Sequence, residues 1–268
     1  MAGRQNVTPR VFAAPRAGVP SGAPAVAAGS ARYDGAMSTK PPVIGITCDT
    51  VAGGTAESWK YESPMNYCRM VARAGGTPVL LPYEVERIEN YLALCDGFIF
   101  AGGDDCDPRV FGGEVHPAST IMHASRQAFE FALLKALDAT PHPTLGICLG
   151  MQMMTLHHGG RLIPHLPDVL GEERGAVHRK SDHPIQFDAP PQMPLPRRGD
   201  VASSHHQAVS DPGSLKVLAK ADDGVIEAVT AGRPGRFYIG VQWHPERTKD
   251  PAMGLAVAEA LVRACNGG

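Results

Sequence analysis

The 268 residues, 43% of them hydrophobic and 19% charged, suffice for one large domain with a deep core or for two small ones. A net charge of −2 gives no general grip on nucleic acid or anionic lipid, and no apolar run reaches the roughly 18–20 residues of a membrane span. The six cysteines, Cys48, Cys68, Cys95, Cys106, Cys148 and Cys265, form no C-x-x-C pair, which speaks against a disulfide framework or a cysteine zinc site and for a reduced, cytoplasmic protein.

Residues 1–40 are rich in Ala, Gly, Pro and Ser, carry Arg4, Arg10, Arg16 and Arg32, and have no acid before Asp34. Such a stretch buries too little apolar area to offset its ordering entropy, so it reads as a disordered extension ahead of a domain at 41–268. Two alternatives stand beside this: a transit peptide, or a true start at Met37.

From Pro42 the pattern is regular. Strands are expected at 43–47, 77–81, 97–100 and 143–147, and helices at 62–74, 85–94, 125–137 and 149–158. Near-continuous apolar strands alternating with helices predict an α/β fold of three layers, a mostly parallel sheet with helices on both faces. Farther on, 177–187, 216–219, 225–229 and 237–243 read as strands joined by short turns, a small antiparallel extension. Residues 189–196 read as a proline-rich surface loop, and 251–264 as a helix.

The segment Thr144-Leu145-Gly146-Ile147-Cys148-Leu149-Gly150-Met151-Gln152 has the form strand, G-x-C-x-G, helix. This is the cysteine version of a nucleophile elbow: the glycines let strand and helix pass closely, and the sulfur sits on the turn between them. The positive end of a helix dipole favours the thiolate, and the N–H of Leu149 is placed to meet a developing oxyanion. A lone cysteine is usually packing, as are Met151, Met153 and Met154; the paired glycines are what single out Cys148.

A thiolate needs an imidazole to hold a proton and return it to the leaving amine. Among eleven histidines, His244 is distinguished by its place after an apolar strand and before Pro245-Glu246. Residues i and i+2 of an extended backbone face one side, so Glu246 can orient the His244 ring. Pro245 biases His244 toward that extended form.

These motifs resemble those of the class I glutamine amidotransferase-like superfamily, whose marks are a G-[IV]-C-x-G-x-Q elbow and a later H-P-E. The resemblance covers about residues 42–265 and implies a flavodoxin-like three-layer fold. Three further segments resemble the γ-glutamyl-γ-aminobutyrate hydrolase-like group, peptidase family C26. They are Ala101–Pro108 with Phe111-Gly112 and His116-Pro117; Val201–Ala208; and Asp223-Gly224-Val225-Ile226-Glu227-Ala228. The resemblance implies a hydrolase that releases glutamate and a free amine, often in polyamine breakdown. It implies Cys148, His244 and Glu246 as the catalytic residues and Gly103 as a second oxyanion donor beside Leu149. It implies Gln152, Arg126, Ser203, His205 and Gln207 as substrate contacts. Gln127 and Ala202 stand where the group commonly has aspartate and asparagine, which leaves the identity of the amine open.

Asp104, Asp105 and Asp107 lack calcium-loop spacing and read as solvated or loop-capping acids, and adjacent helical residues such as His157-His158 face different ways. No metal and no cofactor are therefore expected. The expected partner is a small-molecule γ-glutamyl substrate, with no nucleic acid or membrane and with a homodimer left open. Two other functions compete with a free-standing γ-glutamyl hydrolase. One is a glutaminase subunit passing ammonia to a partner synthase; the other is a binding protein that keeps the fold without chemistry. No synthase domain is legible, and the Asp-Pro loop favours the hydrolase.

Overall fold

The computed structural model of the protein describes residues 40–53, 58–188, 193, 195–232 and 236–267. The expected extension, up to residue 39, and most of the proline-rich loop at 189–196 lie outside the described residues.

Along the chain come β1 (Val43–Thr47), β2 (Asp49–Ala52), β3 (Trp59–Glu62), α1 (Met65–Arg73), β4 (Thr77–Leu81), a short 3-10 turn and α2 (Ile88–Leu94). They are followed by β5 (Gly97–Phe100), α3 (Ala124–Leu137), β6 (Thr144–Ile147), α4 (Leu149–His157), β7 (Arg161–Ile163), α5 (Leu166–Leu170) and α6 (Glu172–Lys180). The rest is β8 (Asp182–Phe187), β9 (Arg198–Ala202), β10 (Ala208–Asp211), β11 (Lys216–Ala221), β12 (Ile226–Thr230), β13 (Tyr238–Val241) and α7 (Leu255–Cys265).

The main sheet runs β4-β1-β5-β6-β13-β12-β11-β8-β9, with β10 joining β12 to β7. The run from β4 to β13 is parallel, and from β13 onward every pairing is antiparallel. Alternation along the parallel strands sorts the core into two faces. Ile44, Ile46, Ile99, Leu145 and Ile147 pack with Met70, Val71, Val257 and Leu261 of α1 and α7. Phe98 and Phe100 pack with Phe129, Leu133, Met153 and Met154 of α3 and α4. The expected mostly parallel α/β sheet with helices on both faces is what forms.

Several boundaries differ from expectation. The strand expected at 177–187 begins only at Asp182, because residues up to Lys180 complete α6. Glu172 and Glu173 in its first turn and His178, Arg179 and Lys180 in its last complement the helix dipole, a signal that the apolar Val177 obscures. The helix expected at 62–74 starts at Met65, because Trp59–Glu62 instead pairs with β2 in a separate two-stranded hairpin. The helix expected from residue 251 starts at Leu255.

Candidate active site

Cys148 sits between the end of β6 and the start of α4, with φ 52° and ψ −106°. It is the one non-glycine at positive φ among the described residues, a conformation that costs an L-residue energy and tends to mark functional positions. The flanking glycines allow the turn to be this tight. A Cβ on Gly146 would lie 2.3 Å from the Met154 sulfur, and one on Gly150 would lie 2.2 Å from the Phe100 carbonyl oxygen. The Cys148 N–H donates to the Val241 carbonyl at 2.8 Å, which ties the elbow to the end of β13.

His244 follows β13. Gly240 pairs with Gly146 and Val241 with Ile147, so nucleophile and imidazole leave the carboxyl ends of two adjacent parallel strands. The His244 backbone is clamped: its N–H donates to the Ala202 carbonyl at 2.8 Å, and its carbonyl accepts from Thr248 Oγ1 at 2.9 Å. Its ring is buried, with Nδ1 2.8 Å from Glu246 Oε1. Nε2 makes no hydrogen bond of standard geometry and is left to the Cys148 side chain. Burial alone would lower the His244 pKa; the Cys148 side chain, and after it Glu246, outweigh burial and raise it to about 9.

The loop after β5 closes the site. The position of a Cβ on Gly102 would be 3.1 Å from the His244 ring and 3.5 Å from Cys148 Cβ. The Gly102 N–H donates to the Tyr67 hydroxyl at 3.0 Å, whereas the Gly103 N–H has no hydrogen-bond partner among the described residues. Leu149 opens α4, so its N–H is one of those that a helix leaves without an internal acceptor. A cavity of about 280 Å³ lies alongside, walled by Asp49, Glu62, Tyr67, Gly103, His244 and Arg247 among others.

The remaining expected site residues separate. Gln152, one turn after Cys148, is buried and donates from Nε2 to the Gln207 carbonyl at 3.4 Å and to Gln242 Oε1 at 3.2 Å. Gln207 Nε2 donates to Ser119 Oγ at 3.3 Å, and the residue lines a different cavity of about 460 Å³ with Cys106, Phe111 and His116. Ser203 Oγ donates to the His178 carbonyl. His205 is buried, with one ring nitrogen on the Gln207 carbonyl at 2.8 Å and the other toward Glu227. Neither nitrogen is directed at Cys148.

Arg126 is wholly buried beneath the loop rather than in the cavity. Nη2 donates to the Ala101 and Gly102 carbonyls at 3.0 Å, Nε to Glu130 at 2.8 Å, and Nη1 lies 3.0 Å from Asp49. Nε and Nη2 are spent on protein groups and Nη1 faces Asp49, so the side chain fits a positioning role for the loop better than the expected substrate contact. The expected capping role of the loop acids is visible in Asp107, which accepts from the Arg109 N–H at 3.0 Å, while Asp105 accepts from the Thr120 N–H at 2.9 Å and meets His206 at 3.0 Å.

Tyr67 is a site residue that no sequence motif singles out. It lies on α1, its hydroxyl reaches the loop at Gly102, and burial, with Glu246 and Cys148 after it, pushes its pKa well above the ordinary tyrosine value. Only the aromatic at the start of an amphipathic helix marks it, and core tyrosines look the same.

Comparison with known proteins agrees with this fold. A solved structure described as a GMP synthase subunit of Thermoplasma acidophilum superposes with a TM-score of 0.59 over 85% of this chain and 96% of that one, at 15% identity, which shows the fold. The Mycobacterium tuberculosis protein Rv2859c, which carries a glutamine amidotransferase name, is 35% identical over 84% of this chain and 75% of its own length. The Escherichia coli γ-glutamyl-γ-aminobutyrate hydrolase PuuD is 26% identical over 84% of this chain and 93% of its own. In the described residues no helix is long and apolar enough to cross a membrane. The family model for peptidase C26 matches residues 42–246, and the chain belongs to that family of glutamine amidotransferase-like hydrolases.

Proposed function

We propose that the protein hydrolyses the γ-glutamyl amide of a small amine, with Cys148, His244 and Glu246 as a catalytic triad. The observation that carries this is the strained Cys148 turn against a His244 ring whose far nitrogen is held by Glu246. The Cys148 sulfur attacks the γ-carbonyl carbon, and the carbonyl π pair moves onto oxygen, where the Gly103 and Leu149 N–H groups meet it. The oxyanion collapses to a thioester as the C–N bond breaks, and protonated His244 gives its proton to the departing amine. Water, losing a proton to His244, then attacks the thioester, and the sulfur leaves with glutamate released.

The substrate's glutamyl head carries a carboxylate and an ammonium. The lining of the adjoining cavity includes both signs, Arg247 together with Glu62 and Asp49, which supports a glutamyl-type ligand. The likeness to PuuD over most of both chains supports the same substrate class.

The second reading, a glutaminase that delivers ammonia to a synthase, is favoured by the name of the M. tuberculosis relative. Purified protein offered a panel of γ-glutamyl amines and glutamine, with glutamate release followed, separates the two. Turnover of γ-glutamyl amines without any added partner supports the proposal. Glutamine as the sole substrate, cleaved only when a partner is added, replaces it with the second reading.

A further inference from the structure

On the far side of β13 from the nucleophile strand, four buried side chains from four separate segments converge. They are His178 of α6, His183 of β8, His205 of the loop between β9 and β10, and Glu227 of β12. One atom from each lies within 4.8 Å of all the others. Glu227 Oε1 is 3.4 Å from His178 Nδ1, 3.6 Å from His183 Nε2 and 3.4 Å from His205 Nε2.

These separations exceed the 2.7–3.2 Å or so of N–H···O hydrogen bonds. All three ring nitrogens and both Glu227 oxygens are buried without a hydrogen-bond partner. Leaving so many polar atoms unmatched in one place is costly, and native interiors seldom do it.

The outward nitrogens explain the inward ones. His178 Nε2 is 2.9 Å from Asp223 Oδ2, His205 Nδ1 is 2.8 Å from the Gln207 carbonyl, and His183 Nδ1 is 3.3 Å from the Pro184 carbonyl. A carbonyl or carboxylate oxygen only accepts, so the outward nitrogens of His178 and His205 carry the proton, and the longer His183 contact favours the same tautomer. In a neutral ring the inward nitrogen is then a lone pair. Three lone pairs and a carboxylate facing one point repel one another unless a proton or a metal cation lies between them, and the 3.4–3.6 Å separations are longer than a shared proton would leave them.

We propose that His178, His183, His205 and Glu227 bind a divalent transition-metal ion, zinc by the chemistry of the set, in a closed four-coordinate site. Three imidazoles and one carboxylate suit zinc. A tetrahedral ion with bonds of about 2.05 Å holds its ligands about 3.4 Å apart, and the three distances to Glu227 Oε1 fall around that value. The outward hydrogen bonds are the partners that orient metal-binding imidazoles and fix their tautomers. With four protein ligands and no open position, the ion is structural: it staples α6, β8 and the 203–207 segment to β12. It does not depend on the γ-glutamyl reading.

The site departs from the expectation of no metal. That expectation rests on residues close in sequence, the loop acids and His157-His158, whereas these four ligands come together only in the fold.

The test uses the full chain without a polyhistidine tag. Metal content by mass spectrometry should be about one zinc per chain, unchanged in Cys148→Ala and at least about tenfold lower in Glu227→Gln and His205→Gln. Protein grown with cobalt(II) should show the intense visible d–d bands of a four-coordinate site and lack sulfur-to-cobalt charge transfer. That wild-type readout stands even where a ligand variant fails to fold. Folded protein that neither contains nor takes up zinc or cobalt overturns the proposal. So does metal retained in full by both ligand variants, or a weak six-coordinate cobalt spectrum.

Discussion

Arg126 lies directly beneath Gly103: a Cβ added to the glycine would sit 2.1 Å from Arg126 Nη1 and 2.8 Å from Asp49 Oδ2. The guanidinium therefore acts as a floor for the loop whose N–H is assigned to the oxyanion. Gly103→Ala must push that buried ion pair aside or lift the loop. We expect kcat to fall by about 10²–10³, the range for loss of one oxyanion donor, and stability to fall by about 1–3 kcal/mol through overpacking. A Gly103→Ala variant with unchanged kcat on a γ-glutamyl amide would remove Gly103 from the site.

Arg126→Met tests the floor itself. Glu130, also fully buried, would lose its cation, and the Ala101 and Gly102 carbonyls would lose their donor. Breaking a buried pair from one side costs roughly 3–5 kcal/mol, measurable by denaturant unfolding. If Arg126 instead held substrate, the variant would keep its stability and raise KM.

Cys148→Ala should abolish turnover and, at about pH 9 and above, where the His244 coupling no longer contributes, should change stability little, since the substitution leaves the positive φ in place. Cys148→Gly should abolish turnover too, yet unfold at higher denaturant than the alanine variant. Glycine avoids a steric cost of about 1–2 kcal/mol at such a position. Equal stability of the two variants would mean that the turn relaxes when the sulfur is gone, and residual turnover in either would exclude Cys148 as nucleophile.

Glu246→Gln should harm the enzyme less than His244→Ala. The carboxylate orients the ring and the ring moves the proton, so we expect losses in kcat of roughly 10–10³ and roughly 10²–10⁴ or more respectively. The reverse order, measured at matched pH, would mean that the two roles are wrongly assigned.

The His244 pKa is raised in the folded protein to about 9 from an ordinary 6.5. A group shifted upward contributes stability that is complete below its unfolded pKa and is lost as pH rises through the folded one. Stability from this pair should therefore decline between about pH 6.5 and 9, and kcat/KM should fall on the alkaline side as the ring loses the proton it gives to the amine. Cys148→Ala removes the main attraction, so its unfolding free energy should depend less steeply on pH in that window. Parallel pH profiles for the two proteins would contradict the coupling.

The parallel half of the sheet is legible in the sequence because its strands, such as 43–47 and 97–100, are apolar on both faces and lie beside glycine or proline. The elbow and the H-P-E segment are legible for a related reason: tight turns demand particular residues locally. The remainder depends on contacts between distant segments. The acids and bases at the two ends of α6 mark it locally, but the mark is hidden once Val177 is read into the strand that follows. The β2–β3 hairpin exposes Trp59 and Tyr61, so no buried periodicity marks it. His205 and Arg126 stand out in the sequence, and the i,i+4 helix spacing joins Arg126 to Glu130, but no spacing rule connects Arg126 to Asp49 or His205 to Glu227.

The position of β13 has a consequence for how the protein is made. It is the last described strand along the chain, yet it lies inside the sheet, with β6 on one side and β12 on the other. Until it emerges from the ribosome, the parallel and antiparallel halves each present a raw edge, the kind of surface that invites pairing with another chain. The same strand delivers His244. On the proposed mechanism, a nascent chain carries its thiol early and remains without a base to activate it until the two halves have closed, so that hydrolytic competence and protection from aggregation arrive in one late step.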